Sequence, residues 1–104
     1  MKISKSNAEV KGAAGGKCML QLFIFDDQPH SARAITNIKA ICEKHLKGGY
    51  ELDIIDLNKK PTLALSEDII AIPTLIKRFP LPEIRFIGDL SDTQSVLEGL
   101  SVFN

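Results

Sequence analysis

The sequence feature that most constrains the fold is an almost uninterrupted apolar run from Cys18 to Phe25, CMLQLFIF. Large aliphatic and aromatic side chains fill the run, and Asp26-Asp27-Gln28-Pro29 ends it. This length and composition are typical of a strand that is buried on both faces, as in a parallel sheet. The run therefore predicts a central strand and places the chain in the α/β class.

A helix and a second strand are predicted directly after this strand. The helix is indicated by apolar residues at spacings of three and four, namely Ala34, Ile35, Ile38, Ile41, Cys42 and Leu46. Gly48-Gly49 ends the pattern, and residues 50–57 (YELDIIDL) are typical of a strand. Together the three elements predict a βαβ unit, whose crossover is almost always right-handed.

The second half of the chain predicts four shorter elements. In order, they are a helix over 61–70, strands over 74–79 and 83–87, and a helix behind Ser91 and Gln94, which have capping-box spacing. The whole order is β-α-β-α-β-β-α, the thioredoxin arrangement. Local signals here are weaker, because short apolar runs do not distinguish helix from strand by periodicity.

Length and charge limit the organisation and the classes of partner. The 104 residues fit one domain. Residues 1–16 are polar, small and glycine-rich, so we expect a flexible tail followed by a single domain over 17–104. Thirteen basic and thirteen acidic residues cancel, which disfavours binding to nucleic acid or an anionic membrane. Without a membrane span or a secretory signal pattern, the sequence predicts a cytoplasmic protein.

No catalytic or metal site is predicted. The two cysteines are too few for a zinc site or a disulfide framework, and Cys18 and Cys42 are interpreted as core residues because each lies in an apolar pattern. Asp26, Asp27 and His30 are interpreted as a strand-to-helix turn, since no nucleophile or third ligand accompanies them. We therefore expect no enzymatic activity, cofactor or metal.

Several motifs together resemble the KaiB family of circadian clock proteins. They are PHSARA at 29–34, IIDL at 54–57 before the 58–61 turn, AIPTL at 71–75, KRFPLP at 77–82 and RFIGDLS at 85–91. The resemblance runs without gaps from about Cys18 to Phe103. It implies a thioredoxin-like form in which Asp26–Ser31 replaces the Cys-x-x-Cys turn of redox thioredoxins and Pro73 takes the place of their cis-proline.

The resemblance also implies a binding function. KaiB proteins bind the N-terminal ring of KaiC, an ATPase that phosphorylates itself, and in cyanobacterial clocks they sequester KaiA and compete with the sensor kinase SasA. From the residues alone, the basic pairs are interpreted as solvated surface. By matching positions, the resemblance instead assigns partner binding to Arg33, Lys59, Lys60, Lys77 and Arg85.

A fold switch is a further implication of the resemblance. KaiB proteins exchange the thioredoxin-like monomer for a ground state, usually a homotetramer, in which residues 61–104 are arranged differently; a dimer is the alternative assembly. We assign the switch to Pro73, Pro80, Pro82 and Gly99. Because glycine in a helix costs about 1 kcal/mol against alanine, we expect Gly99→Ala to favour the thioredoxin-like form.

Two departures from the family pattern keep alternatives open. Asp68 stands where a lysine is common, and Ile84 replaces one arginine of a usual pair. Loss of positive charge on a partner surface could weaken or redirect binding. The first alternative is therefore a divergent KaiB homologue that serves stress or signalling without an oscillator. A thiol oxidoreductase of the thioredoxin superfamily is the less favoured second alternative.

Overall fold

The computed structural model describes residues 17–100 of the chain. Its elements are β1 (Cys18–Ile24), α1 (Pro29–His45), β2 (Tyr50–Asp56), α2 (Thr62–Ser66), β3 (Thr74–Phe79), β4 (Ile84–Ile87) and α3 (Thr93–Gly99). This confirms the predicted order β-α-β-α-β-β-α. The expected tail over 1–16 lies outside the described residues and stays a prediction. None of the helices in the described part is long and apolar enough to cross a membrane.

The four strands form one mixed sheet in the order β2-β1-β3-β4. β1 pairs with β2 in parallel, with Cys18 opposite Tyr50, and pairs with β3 in antiparallel, with Leu22 opposite Leu75. β3 and β4 form an antiparallel hairpin. The apolar run therefore lies inside the sheet, as predicted, with one parallel and one antiparallel neighbour.

The core has two unequal parts, one on each face of the sheet. The larger cluster joins β1 and β3 to α1 and α3, with Leu22, Ile38 and Cys42 fully buried. The smaller cluster has three buried members, Phe23, Leu57 and Ile76, and α2 packs beside them. Because α2 has five residues and none of them is buried, the second layer is thin.

The helix ends follow local chemistry, with two differences from the predictions. α2 stops at Ser66 instead of Ile70, because Asp68 has φ +58°, a left-handed conformation that a helix does not accommodate. The cap of α3 is Asp92, whose carboxylate accepts the Ser95 N–H at 3.2 Å, so the predicted Ser91 capping box was wrong by one residue.

Candidate partner-binding surface

The position of a thioredoxin redox pair holds a hydrogen-bonded turn. The N–H of Phe25 donates to Ser31 Oγ at 3.1 Å, and Ser31 is buried at the start of α1. Cys18 and Cys42 are free and buried in the larger cluster. Burial raises the pKa of both thiols, that of Cys42 to about 12 with further contributions from Cys18 and Glu43. Neither thiol therefore has the exposure and thiolate character that redox chemistry needs.

Arg33 is half-exposed on α1 and is held by the loop after β4. Its Nε donates to Asp89 Oδ2 at 3.2 Å, and its Nη2 lies 2.9 Å from His30 Nδ1. Hydrogen bonds from Ser91, and then from Arg33, lower the pKa of the Asp89 carboxyl. Arg33 thus presents part of its guanidinium to solvent from a fixed position.

Lys59 and Lys60 lie together in the turn between β2 and α2. Their N–H groups donate to the Asp56 carbonyl at 3.0 and 3.1 Å, and both residues are exposed. Within residues 17–100, neither forms an ion pair. Both side chains are therefore exposed to solvent, and their contact with an acidic partner stays a prediction.

Lys77 requires a correction, because it is only 1% exposed in this fold. Side chains alternate along β3, and Lys77 points to the same face as Leu75, towards the larger cluster. Its strand neighbours are Leu20 on β1 and Ile84 on β4. The predicted contact between Lys77 and a partner is therefore not available in this form.

Arg85 is exposed on β4 but already has partners within the chain. Its Nη2 donates to the carbonyl of Glu67 at 2.7 Å and its Nη1 to that of Asp68 at 3.0 Å. Cations are favoured beside the free carbonyls at a helix C-terminus. Arg85 therefore holds the end of α2, and its role as a direct partner contact stays a prediction.

The residues assigned to a fold switch lie along the hairpin and at the end of α3. Pro73 precedes β3, and Pro80 and Pro82 flank the exposed Leu81 in the turn between β3 and β4; the peptide bonds before all three prolines are cis. Gly99 is the last residue of α3. Their part in a switch stays a prediction.

Gly99 allows the ring of Phe86 to approach the helix closely. A Cβ at residue 99 would lie 2.5 Å from Phe86 Cζ, well inside the distance of normal contact. Helix propensity alone predicted that Gly99→Ala favours this fold, but the packing opposes that expectation. The contact between strand and helix was not visible in the sequence pattern.

Sequence reasoning missed an exposed apolar surface around α2. Leu65 is 88% exposed and Ile70 is 84% exposed. A shallow groove of about 530 Å³ runs beside Ile70 and is lined in part by Phe25, Leu57 and Ile72. We call Lys59, Lys60, Leu65 and Ile70 the α2 surface. It combines two cations with two large apolar side chains.

Solved structures share this fold at low sequence identity. Chloroplastic thioredoxin z matches with a TM-score of 0.69 and 19% identity, over 82% of this chain and 76% of that one. The N-terminal domain of Synechococcus elongatus SasA matches with a TM-score of 0.67 and 22% identity, over 97% of this chain and 93% of that one. These likenesses confirm the predicted thioredoxin-like fold.

Curated proteins match at higher identity. The circadian clock oscillator protein KaiB of Prochlorococcus marinus is 44% identical over 90 residues, which are 86% of this chain and 83% of that protein. The protein of the same name from Synechococcus elongatus is 45% identical over 84 residues, 81% of this chain and 82% of that one. The KaiB domain family model matches residues 21–102. The motifs, the fold and this identity agree, and the chain belongs to the KaiB family.

Proposed function

We propose that this chain binds a KaiC-type ATPase that phosphorylates itself, and modulates its phosphorylation state in a clock or timer. Family membership supports the proposal. The observation that carries it is the α2 surface, where Leu65 and Ile70 are 88% and 84% exposed in the same segment of the chain as the exposed Lys59 and Lys60. The fold gains little from leaving two large apolar side chains in water, so a partner is the better explanation for them.

Each part of the α2 surface has a separate task in binding. Fully burying a side chain such as Leu65 or Ile70 contributes roughly 1.5–3 kcal/mol, of which association retains only part. Lys59 and Lys60 raise the association rate and favour an acidic partner surface. The proposed partner therefore presents an apolar pocket with carboxylates at its rim.

Binding through this surface links the function to a fold switch. Leu65 and Ile70 both belong to the half of the chain that the family resemblance expects to rearrange. We propose that the thioredoxin-like form binds, and that the resting state is a homotetramer with residues 61–104 arranged differently. Binding then draws the population towards the thioredoxin-like form.

Two further partners follow from the same proposal. A SasA-like kinase would compete for the KaiC-type protein, and KaiA would be sequestered in the resulting complex. The shared fold of this chain and the SasA domain supports competition for one surface. Competition would appear as displacement of the kinase domain by this chain when both are mixed with the ATPase.

Co-elution with a cognate KaiC-type protein and nucleotide tests the proposal. After incubation for many hours, we expect wild type to co-elute and Ile70→Asp to bind at least about tenfold more weakly, a difference of 1.4 kcal/mol. The matched control is Leu81→Asp, because Leu81 is 75% exposed and lies outside the α2 surface. No co-elution of wild type, or equal loss in both variants, contradicts the proposal.

Asp68 favours a second candidate within the same family. Its exposed carboxylate lies between Leu65 and Ile70 in sequence, where the resemblance expects a lysine. A reversed charge favours a different partner surface, as in a divergent homologue that serves stress or signalling. If the partner is a clock KaiC with an acidic surface, Asp68→Lys should tighten binding. If the substitution weakens binding, the partner surface near residue 68 is basic and the second candidate is favoured.

A further inference from the structure

The position of α2 depends on contacts outside the helix itself. α2 has five residues, and no side-chain hydrogen bond caps its start. Helices of this length are not stable alone in water. Leu63 and Ala64 pack beside Phe23 and Ile76, but both remain partly exposed. Ile69 packs against the same cluster, and polar contacts add to this attachment of the segment.

Arg78 provides contacts from three directions. The guanidinium donates to the carboxylate of Glu67 just after α2, to Glu83 Oε2 at 2.7 Å in the turn before β4, and to Gln21 Oε1 at 2.7 Å on β1. The side chains of Arg78 and Glu67 are 27% and 32% exposed. Partial burial and a charged acceptor make such hydrogen bonds stronger than those between neutral groups.

A second arginine binds the same segment after α2. Arg85, on the adjacent strand, donates to the carbonyls of Glu67 and Asp68. Arg78 thus binds the side chain of Glu67 while Arg85 binds its backbone. Three residues after Glu67, the side chain of Ile70 is 84% exposed.

We infer that Arg78 is a positioning residue for the α2 surface: by binding Glu67 it fixes the segment after α2 and so sets the direction in which Ile70 is presented to the partner. The role of the α2 surface in binding rests on the proposed function. The attachment of residues 67–70 does not, because it is a property of the thioredoxin-like form and needs no partner.

Hydrogen exchange of the free protein in its monomeric, thioredoxin-like form, identified by cross-strand NMR contacts between β1 and β3, tests the attachment. Three amides report on the segment, since the N–H groups of Glu67, Asp68 and Ile69 donate to carbonyls of α2. In Arg78→Met, which keeps an apolar stem, we expect their exchange to accelerate about tenfold, while the amides of β1 and β3 stay protected. The control is Arg33→Met, an arginine that binds Asp89 instead; exchange at Glu67, Asp68 and Ile69 should not change.

A second variant, Glu67→Gln, tests the same interaction if Arg78→Met folds poorly, because it removes the charge of the carboxylate that Arg78 binds. In the variant that carries both substitutions, the three amides should exchange no faster than in the faster-exchanging of the two single variants. Unchanged exchange of the three amides in both single variants overturns the inference. Equal acceleration throughout β1 and β3 also overturns it, because Arg78 would then stabilise the whole fold.

Measurements of affinity for the KaiC-type protein distinguish a failure of this inference from a failure of the proposed function. Arg78→Met should lower affinity for the KaiC-type protein by more than any loss of folded protein that circular dichroism detects, and the on-rate should fall less than the off-rate rises. Full affinity in Arg78→Met overturns the positioning role. If wild type does not bind, the proposed function fails, and the exchange experiment still decides whether Arg78 holds residues 67–70.

Discussion

The two halves of this domain are held together by different kinds of contact. In the first half, α1 has 17 residues and buries five side chains against the sheet. In the second half, α2 and α3 have five and seven residues, and together they bury one side chain, Val96. Leu75 and Ile76 on β3 are fully buried, so the difference lies in the elements around this strand, where the second half has hydrogen-bonded ion pairs and a close contact between Phe86 and Gly99. A few changes can therefore alter the helices of the second half with little effect on α1.

The largest expected effect lies in the first half. Ile38 is fully buried between α1 and the sheet, and Ile38→Ala should lower the free energy of unfolding by about 2–5 kcal/mol, because deletion of buried methyl groups leaves a cavity. The matched variant is Leu65→Ala on α2, where Leu65 is 88% exposed, with an expected change within about 0.5 kcal/mol. Urea denaturation measures both. Similar losses in the two variants would show that the halves do not differ in this way.

The next effect concerns Gly99 in the second half. Overpacking a close contact costs typically about 1–3 kcal/mol, which exceeds the roughly 1 kcal/mol gained by replacing a helical glycine. We therefore expect Gly99→Ala to destabilise the thioredoxin-like form, and Gly99→Ala with Phe86→Leu to restore much of the loss. Thermal unfolding and the cross-strand NMR contacts of β4 measure both. A gain of stability in the single variant would mean that helix propensity outweighs the contact with Phe86.

The smallest expected effect is the acid sensitivity of the α3 end. Hydrogen bonds from Ser91 lower the pKa of Asp89, and those from Ser95 lower the pKa of Asp92. Folding lowers both pKa values, so the stability they contribute is complete above the unfolded value, about 3.9, and is lost as pH falls through the folded value.

Asp92→Asn isolates this contribution. Wild type should lose stability below about pH 4, and the variant should lose less over the same range, as urea denaturation at several pH values would show. If the free energy of unfolding falls equally with pH in wild type and variant, the hydrogen bonds between Asp92 and Ser95 do not make the stability of the protein depend on pH.

The same contrast explains what the sequence could predict. The strands and helix of the first half were predicted because burial repeats there with the period of each element, as at Leu22 and Ile38. The burial of Lys77 was not predicted, because the direction of its side chain depends on the register of β3 against β1 and β4. Nor was the early end of α2 at Ser66, because no local signal marks the left-handed Asp68.

The candidate site was predicted in part for similar reasons. The turn that carries Lys59 and Lys60 follows from local sequence, and both lysines are exposed as expected. The exposure of Ile70 follows from the early end of α2, which helical spacing did not predict, and the exposure of Leu65 depends on which face of α2 packs against the sheet. Arg78 and Arg85 have partners just after α2, Glu67 and Asp68, that lie at least 11 residues away in sequence, and periodicity does not detect contacts over that separation.

The most direct test of the central claim is the strand order of residues 61–100 in the bound protein. NMR of the labelled chain in complex with a KaiC-type ring would detect cross-strand contacts between β1 and β3 and between β3 and β4. We expect contacts between Leu22 and Leu75 and between Ile76 and Arg85, as the antiparallel pairs require. Their absence from the complex, together with their presence in the free protein, would contradict the claim that the thioredoxin-like form is the one that binds.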